Sequence, residues 1–249
     1  MCSGRERGPS RSALGPDSAS PSERTWRSAL PTDRCGPRVG YGSGVIDHLV
    51  FATSDLGRAV DDVAARCGVR PTIGGNHVGW GTRNALLSLG PSVYFEVIGP
   101  DEDALPTVGR GRPFGIDEQH PDRLAAWAWR VDDVDRARAR LLEAGHDPGP
   151  VMAMDRERPD GSRIGWRLTV PPMDGVAVVP FLIQWEPGVH PAEASPAGCR
   201  LESLRVEHPR PSDVAAAFPA LDIDVPVERG ITPRLLATLA TPNGDQEFC

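Results

Sequence analysis

The sequence predicts an α+β protein assembled from repeated β-α-β-β-β units, and three observations carry that expectation. A strand-like run, "VIDHLVFAT" at 45–53, passes directly into a helix-like run and then into two further strands. The same order begins again at 124 and, more faintly, at 201, so unit starts at 46, 124 and 201 stand 78 and 77 residues apart. Nothing in the chain approaches the roughly 18 consecutive apolar residues that a membrane-spanning helix needs.

Taken in order, residues 1–44 are dominated by Ser, Arg, Pro and Gly without apolar periodicity, which predicts a disordered tail. A GTG start at Val45 would make that stretch an annotation artefact, and N-terminal mass spectrometry of the native protein tests this. The first module covers 45–100. After its opening strand, Ser54 or Asp55 caps a helix whose Leu56, Val60, Val63 and Cys67 share a face and which Gly68 ends. A short strand near Arg70–Ile73 and the hairpin strands "RNALLSLG" and "SVYFEVIG" complete it. Gly74, Gly75, Gly79 and Gly81 of "GGNHVGWGTRNALL" read as backbone freedom for a long connection into that hairpin.

A linker at 101–122 leads to the second module, 123–187. There "LAAWAWRV" (124–131) precedes a helix capped by Asp133, with Val134, Ala137 and Leu141 on one face, stopped at Gly145. Strands follow at 163–170 and 177–185. A second linker, 188–199, precedes a third, partial β-α-β-β-β-like module at 200–249, degenerate in pattern, with a helix over about 212–220.

Composition narrows the function classes. The net charge is −7 with dispersed basic residues, so no basic stripe marks a nucleic-acid binder. All 27 basic residues are arginine, which removes Schiff-base chemistry and the phosphate-loop lysine. "GYGSG" (40–44) precedes a strand rather than a helix, so no nucleotide cofactor is expected. Five scattered cysteines form neither a disulfide framework nor a zinc knot. The expected partner is therefore a small molecule, with no nucleic acid and no membrane, bound by a cytoplasmic monomer or homodimer.

Strand alternation selects the polar candidates. His48 shares a face with Ile46 and Val50, and Glu96 with Tyr94 and Ile98. A carboxylate buried in such a strand loses several kcal/mol of hydration unless something compensates it. Trp127, Trp129, Trp166 and Trp185 read as core, and His120, His146, His190 and His208 fall in turns or linkers without a motif.

The repeated order, with "DHLVFATSDL" opening and "YFEVIGP" closing the first module, resembles the vicinal oxygen chelate superfamily. "GGNHVGWGTRNALLSLG", "WAWR" and "PFLIQW" are similar to its glyoxalase-like domain branch, over 45–186 closely and 200–248 loosely. The resemblance implies that two modules pair into a cup holding a divalent metal (Zn, Mn, Fe or Ni), with ligands at His48 and Glu96. The second module departs from that pattern. Seven residues before Asp133, as His48 is before Asp55, stands Ala126, and the position taken to match Glu96 is the weak ligand Gln184, with Glu186 as a fallback. Arg130 is the expected substitute electrophile, pairing with Glu96 or with a substrate anion. His77, Trp80, Arg83 and Asn84 are expected at the rim as substrate-recognition residues. The implied activity is that of a lyase, isomerase or dioxygenase acting on vicinal oxygens, with Glu96 or His48 as proton shuttle. The alternative is a non-catalytic, ligand-sequestering protein of the bleomycin-resistance type.

Overall fold

The computed structural model describes residues 44–108, 111–118, 120–157, 163–171 and 173–249; the expected tail and start-site reading fall almost wholly outside them. The first module comprises β1 (Gly44–Ala52), α1 (Leu56–Cys67), β2 (Thr72–His77), β3 (Thr82–Ser88) and β4 (Tyr94–Pro100). The second comprises β5 (Arg123–Val131), α2 (Val134–Glu143), β6 (Val151–Glu157), β7 (Arg163–Thr169) and β8 (Phe181–Trp185). These eight strands form one mixed sheet in the order β2-β3-β4-β1-β5-β8-β7-β6, the modules meeting edge to edge where β1 runs antiparallel to β5.

Both helices begin alike. Asp55 and Asp133 adopt extended backbone and accept from the N–H three residues on, at Arg58 and Arg136, each at 3.0 Å. Leu56, Ala59, Val60, Val63 and Cys67 recur at helical spacing and are the buried face of α1; Gly68, at φ 71°, ends it in the left-handed region. Both helices pack on one face of the sheet, against Leu49, Phe51, Phe95, Trp127 and Trp129.

The rest of that face is covered by the third unit: β9 (Arg200–His208), α4 (Pro211–Ala215), a 3-10 turn at Phe218–Leu221, β10 (Val227–Arg229), β11 (Arg234–Thr241) and β12 (Gly244–Phe248). Leu204, Val206, Phe218, Leu235, Leu239 and Phe248 join the same core. Side chains buried this fully contribute about 1.5–3 kcal/mol each. The element order repeats that of the other modules, but the wiring does not: here the first strand lies between the second and third, β10-β9-β11-β12, and stays in its own sheet. In the first module β1 instead pairs in parallel with β4.

Two strands differ from the sequence expectation. β6, "VMAMDRE", has no strand signature in the sequence, because it lacks both alternation and β-branched enrichment. Gly74 and Gly75 are not loop residues; they lie inside β2, where the pairing register shifts between Ile73 and Asn76. Only Gly79 and Gly81, at φ 82° and 64°, serve the turn itself, and a Cβ on Gly81 would meet Pro106 N at 2.8 Å.

Candidate active site

The uncovered face of the eight-stranded sheet curls around a cavity of about 710 Å³, counted out to its mouth. Its floor is polar only on the first-module side, where His48 comes from β1, His77 from β2, Thr82 and Asn84 from β3, and Tyr94 and Glu96 from β4. The second module contributes Met154, Trp166, Leu168, Phe181, Ile183 and Trp185. Two linkers supply the rest. Arg112, bonded to the carbonyls of Gly81, Asp101 and Ala104, pins the first linker so that Pro113 and Phe114 line the wall. Phe114 is buried at φ 64°, a costly conformation for an aromatic residue, held by Arg123 Nη2 donating to its carbonyl at 2.8 Å. The second linker, with α3 (Pro191–Ala194), returns across β3 and brings Pro191 to the rim.

His48 is held from behind. The β1–β5 pairing skips from Ile46↔Trp129 to His48↔Ala128, so Asp47 is an extra residue in a bulge. This corrects the alternation reading. Ile46 packs with the helix-side core rather than sharing a face with His48, and Asp47 sits beside its own neighbour, Oδ1 2.7 Å from His48 Nδ1. Asp47 is fully buried; its Oδ2 lies 2.9 Å from Trp185 Nε1, 2.9 Å from His190 Nε2 and 3.7 Å from Arg130 Nη1. Burial alone would raise the Asp47 carboxyl, but hydrogen bonds from His190 and His48, with their electrostatic attraction, hold it well below the ordinary carboxylate range. An ionised carboxylate only accepts, so His48 Nδ1 carries the proton and Nε2 is turned to the cavity. Tyr94 stacks on the imidazole at 4.5 Å and Phe181 meets it edge-on at 5.4 Å.

Glu96 is reached from both sides, with Oε2 3.7 Å from His48 Nε2 and Oε1 3.7 Å from His77 Nε2. Between Glu96 and His77 stands the Asn84 amide. The bulged Gly75 N–H donates to Asn84 Oδ1 at 2.9 Å, which turns Nδ2 to donate to Glu96 Oε1 and lie 3.3 Å from His77 Nε2. His77 Nδ1 faces Thr82 Oγ1 at 3.0 Å.

Of the expected site residues, the structure brings His48, His77, Trp80, Asn84 and Glu96 to one cavity. Three others lie elsewhere. Arg83 alternates away from Thr82 and Asn84 onto the other face of β3, because the strand's period of two forbids three consecutive residues in the cup. Gln184 lies between Ile183 and Trp185 on the helix side of β8, its Oε1 accepting from Val134 N–H at the start of α2 at 3.1 Å. Arg130 faces Asp47 rather than Glu96. Asp47, Tyr94, Phe114, Phe181, Trp185 and His190 carry no sequence signal of a site, and the fold alone assembles them.

The divalent metal implied by the resemblance finds only half of its donors. Val50, five before the Asp55 cap, pairs with Glu96; Ala128, five before the Asp133 cap, pairs with Phe181. The true counterparts of His48 and Glu96 are thus Ala126 and Phe181, neither able to ligate. Glu96 is satisfied on one oxygen by an amide N–H, and among the described residues no group of three or more His, Cys, Asp or Glu side chains is disposed to hold an ion. The residues do not fit the group.

A model of the glyoxalase-like domain matches residues 46–221, more than half of the chain. No curated protein matches it. Among solved structures, a hypothetical protein from Staphylococcus aureus is similar at 17% identity and TM-score 0.54, covering 82% of this chain and 84% of its own. That likeness concerns the fold alone, an α+β arrangement around a mixed sheet. Methylmalonyl-CoA epimerase from Mycobacterium tuberculosis is matched at 21% identity, over 57% of this chain and 87% of its own, with a TM-score of 0.35.

Proposed function

The chain belongs to the glyoxalase-like domain family, and on that footing we propose that its cup binds a small molecule bearing vicinal oxygens and moves a proton between neighbouring atoms of it. The observation that carries this reading is His48, held by a buried carboxylate with Nε2 facing Glu96 across 3.7 Å on the polar floor of the cavity. An α-hydroxycarbonyl compound suits that spacing. Its hydroxyl donates to Glu96 Oε2, while His48 Nε2 takes the proton from the carbon that bears the hydroxyl. The C–H electron pair becomes the double bond of an enediolate and the carbonyl π pair moves to its oxygen. The imidazolium so formed lies between Asp47 and Glu96, which stabilises it. Glu96 carries the hydroxyl proton to the former carbonyl oxygen as the hydroxyl oxygen becomes the new carbonyl, and return of the imidazolium proton to the former carbonyl carbon completes an isomerisation with no oxidant or reductant. The aromatic walls exclude water and hold the substrate body.

The test is hydrogen exchange in D2O with a panel of α-hydroxyketones and α-hydroxyaldehydes, followed by NMR. The wild type should wash deuterium into the carbon next to the carbonyl, and His48→Ala and Glu96→Gln should each slow this by about 100-fold or more. Binding without exchange would instead favour the second reading, a ligand-sequestering protein. That reading is supported by the wholly apolar contribution of the second module.

A further inference from the structure

We infer that His190, delivered by the linker between the second and third units, is a positioning residue that fixes the proton on His48 through Asp47. The proton positions follow from one end of a chain of contacts to the other. A backbone amide can only donate, so Ala192 N–H, 3.3 Å from His190 Nδ1, makes that nitrogen an acceptor. The proton of neutral His190 therefore sits on Nε2, which donates to Asp47 Oδ2 at 2.9 Å. Asp47, with no exposed surface, is left with Oδ1 as the acceptor for His48 Nδ1–H. His48 Nε2 then faces Glu96 and the cavity. Donation thus runs from the first turn of α3 towards Asp47 and from His48 back to it, so that the carboxylate accepts on both oxygens.

His190 is built for this place. Its side chain is mostly buried, its ring meets Trp185 at 5.5 Å and Tyr94 at 5.7 Å, and both of these line the cavity. The linker is anchored beyond it, with Ser88 N–H donating to Pro196 O at 2.9 Å and Ala192 packed against Leu86 and Tyr94. Trp185 Nε1 supplies the second short hydrogen bond to Asp47 Oδ2. Removing His190 would leave that oxygen with the indole N–H and the more distant Arg130, so the carboxylate would turn and its grip on His48 loosen.

The inference draws its purpose from the proton-transfer reading but is tested without it, by the 15N and 1H resonances of the His48 ring. In the full-length wild type the ring should appear as the Nδ1–H tautomer with a slowly exchanging proton. His190→Ala should speed exchange of that proton by at least about ten-fold and mix the tautomers, while His190→Gln, whose amide N–H still donates to Asp47, should restore most of the protection. Ala192→Pro removes the N–H that orients His190 while keeping the His190 side chain, and it serves if His190→Ala fails to fold. Its His48 proton should be intermediate between the two. An unchanged His48 signal in folded His190→Ala, or in Ala192→Pro, would overturn the inference. A failure to find deuterium wash-in with any compound would overturn the proton-transfer reading and leave this one standing.

Discussion

The two halves of the cup are near copies on one face and unlike on the other. On the helix side, each module starts its helix with an extended aspartate and buries apolar residues from its first strand: Leu49 and Phe51 in one, Trp127 and Trp129 in the other. Even the irregularity is repeated. Asp47 is the extra residue on β1, Ala125 is the extra residue on β5, and each stands eight before its cap. On the cavity side the first module presents His48, Asn84 and Glu96 with Asp47 behind, while the second presents Ala126, Ala128, Phe181 and Ile183. The difference shows that the packed face specifies the module, whereas the open face, with a smaller buried cluster of its own, is free to specialise.

Breaking the polar half should have the largest effect. Asp47→Asn leaves three donors around a group that no longer carries charge, and should cost about 3–5 kcal/mol in urea unfolding. Ala125→Ser, at the matching bulge, should cost about 1 kcal/mol or less, and equal losses would refute the asymmetry.

The comparison is sharpened next by rebuilding the lost half. Ala126→His with Phe181→Glu places donors at the counterparts of His48 and Glu96. It should confer about one equivalent of zinc or nickel per chain by elemental analysis, with a rise in thermal stability reversed by chelator. The wild type should show neither.

A smaller effect is expected in acid. The folded-state titration of Asp47 lies below its unfolded value of 3.8, so its contribution is present in full above about pH 4. It is lost as pH falls towards the folded value. The stability of the wild type should therefore fall more steeply than that of Asp47→Asn between pH 4 and 2. Parallel curves would remove Asp47 as the acid-sensitive group.

The least perturbing test compares the sealed face with the surface. Burial pushes the Cys67 thiol up to about 12, and Cys199 is also raised by burial, whereas Cys249 is exposed. At pH 8, alkylation read peptide by peptide should modify Cys67 and Cys199 at least about 100-fold more slowly than Cys249.

Local chemistry was legible in the sequence, and register was not. The helix caps, the helix face running from Leu56 to Cys67, and the strands around His48 and Glu96 follow from periodicity and turn residues, which act over a few positions. The bulge does not, because alternation assumes no inserted residue; it therefore paired His48 with Ile46 and passed over Asp47. Gln184 looked like the counterpart of Glu96 by chemical likeness, yet the parallel pairing with β5 assigns that position to Phe181. His190 lies 143 residues from Asp47 in sequence, and only the return of the linker over β3 makes them neighbours.

A strand ordinarily gives one face a side chain every two residues, about 6.6 Å apart. The bulge at Asp47 halves that interval and lets an imidazole and the carboxylate that orients it come from consecutive codons. The second module already has the matching bulge, with alanines at 125 and 126, so Ala125→Asp with Ala126→His would put the same pair of side chains on backbone of the same form. The barrier to a second proton-handling group in this cup is two point substitutions rather than a new element of structure.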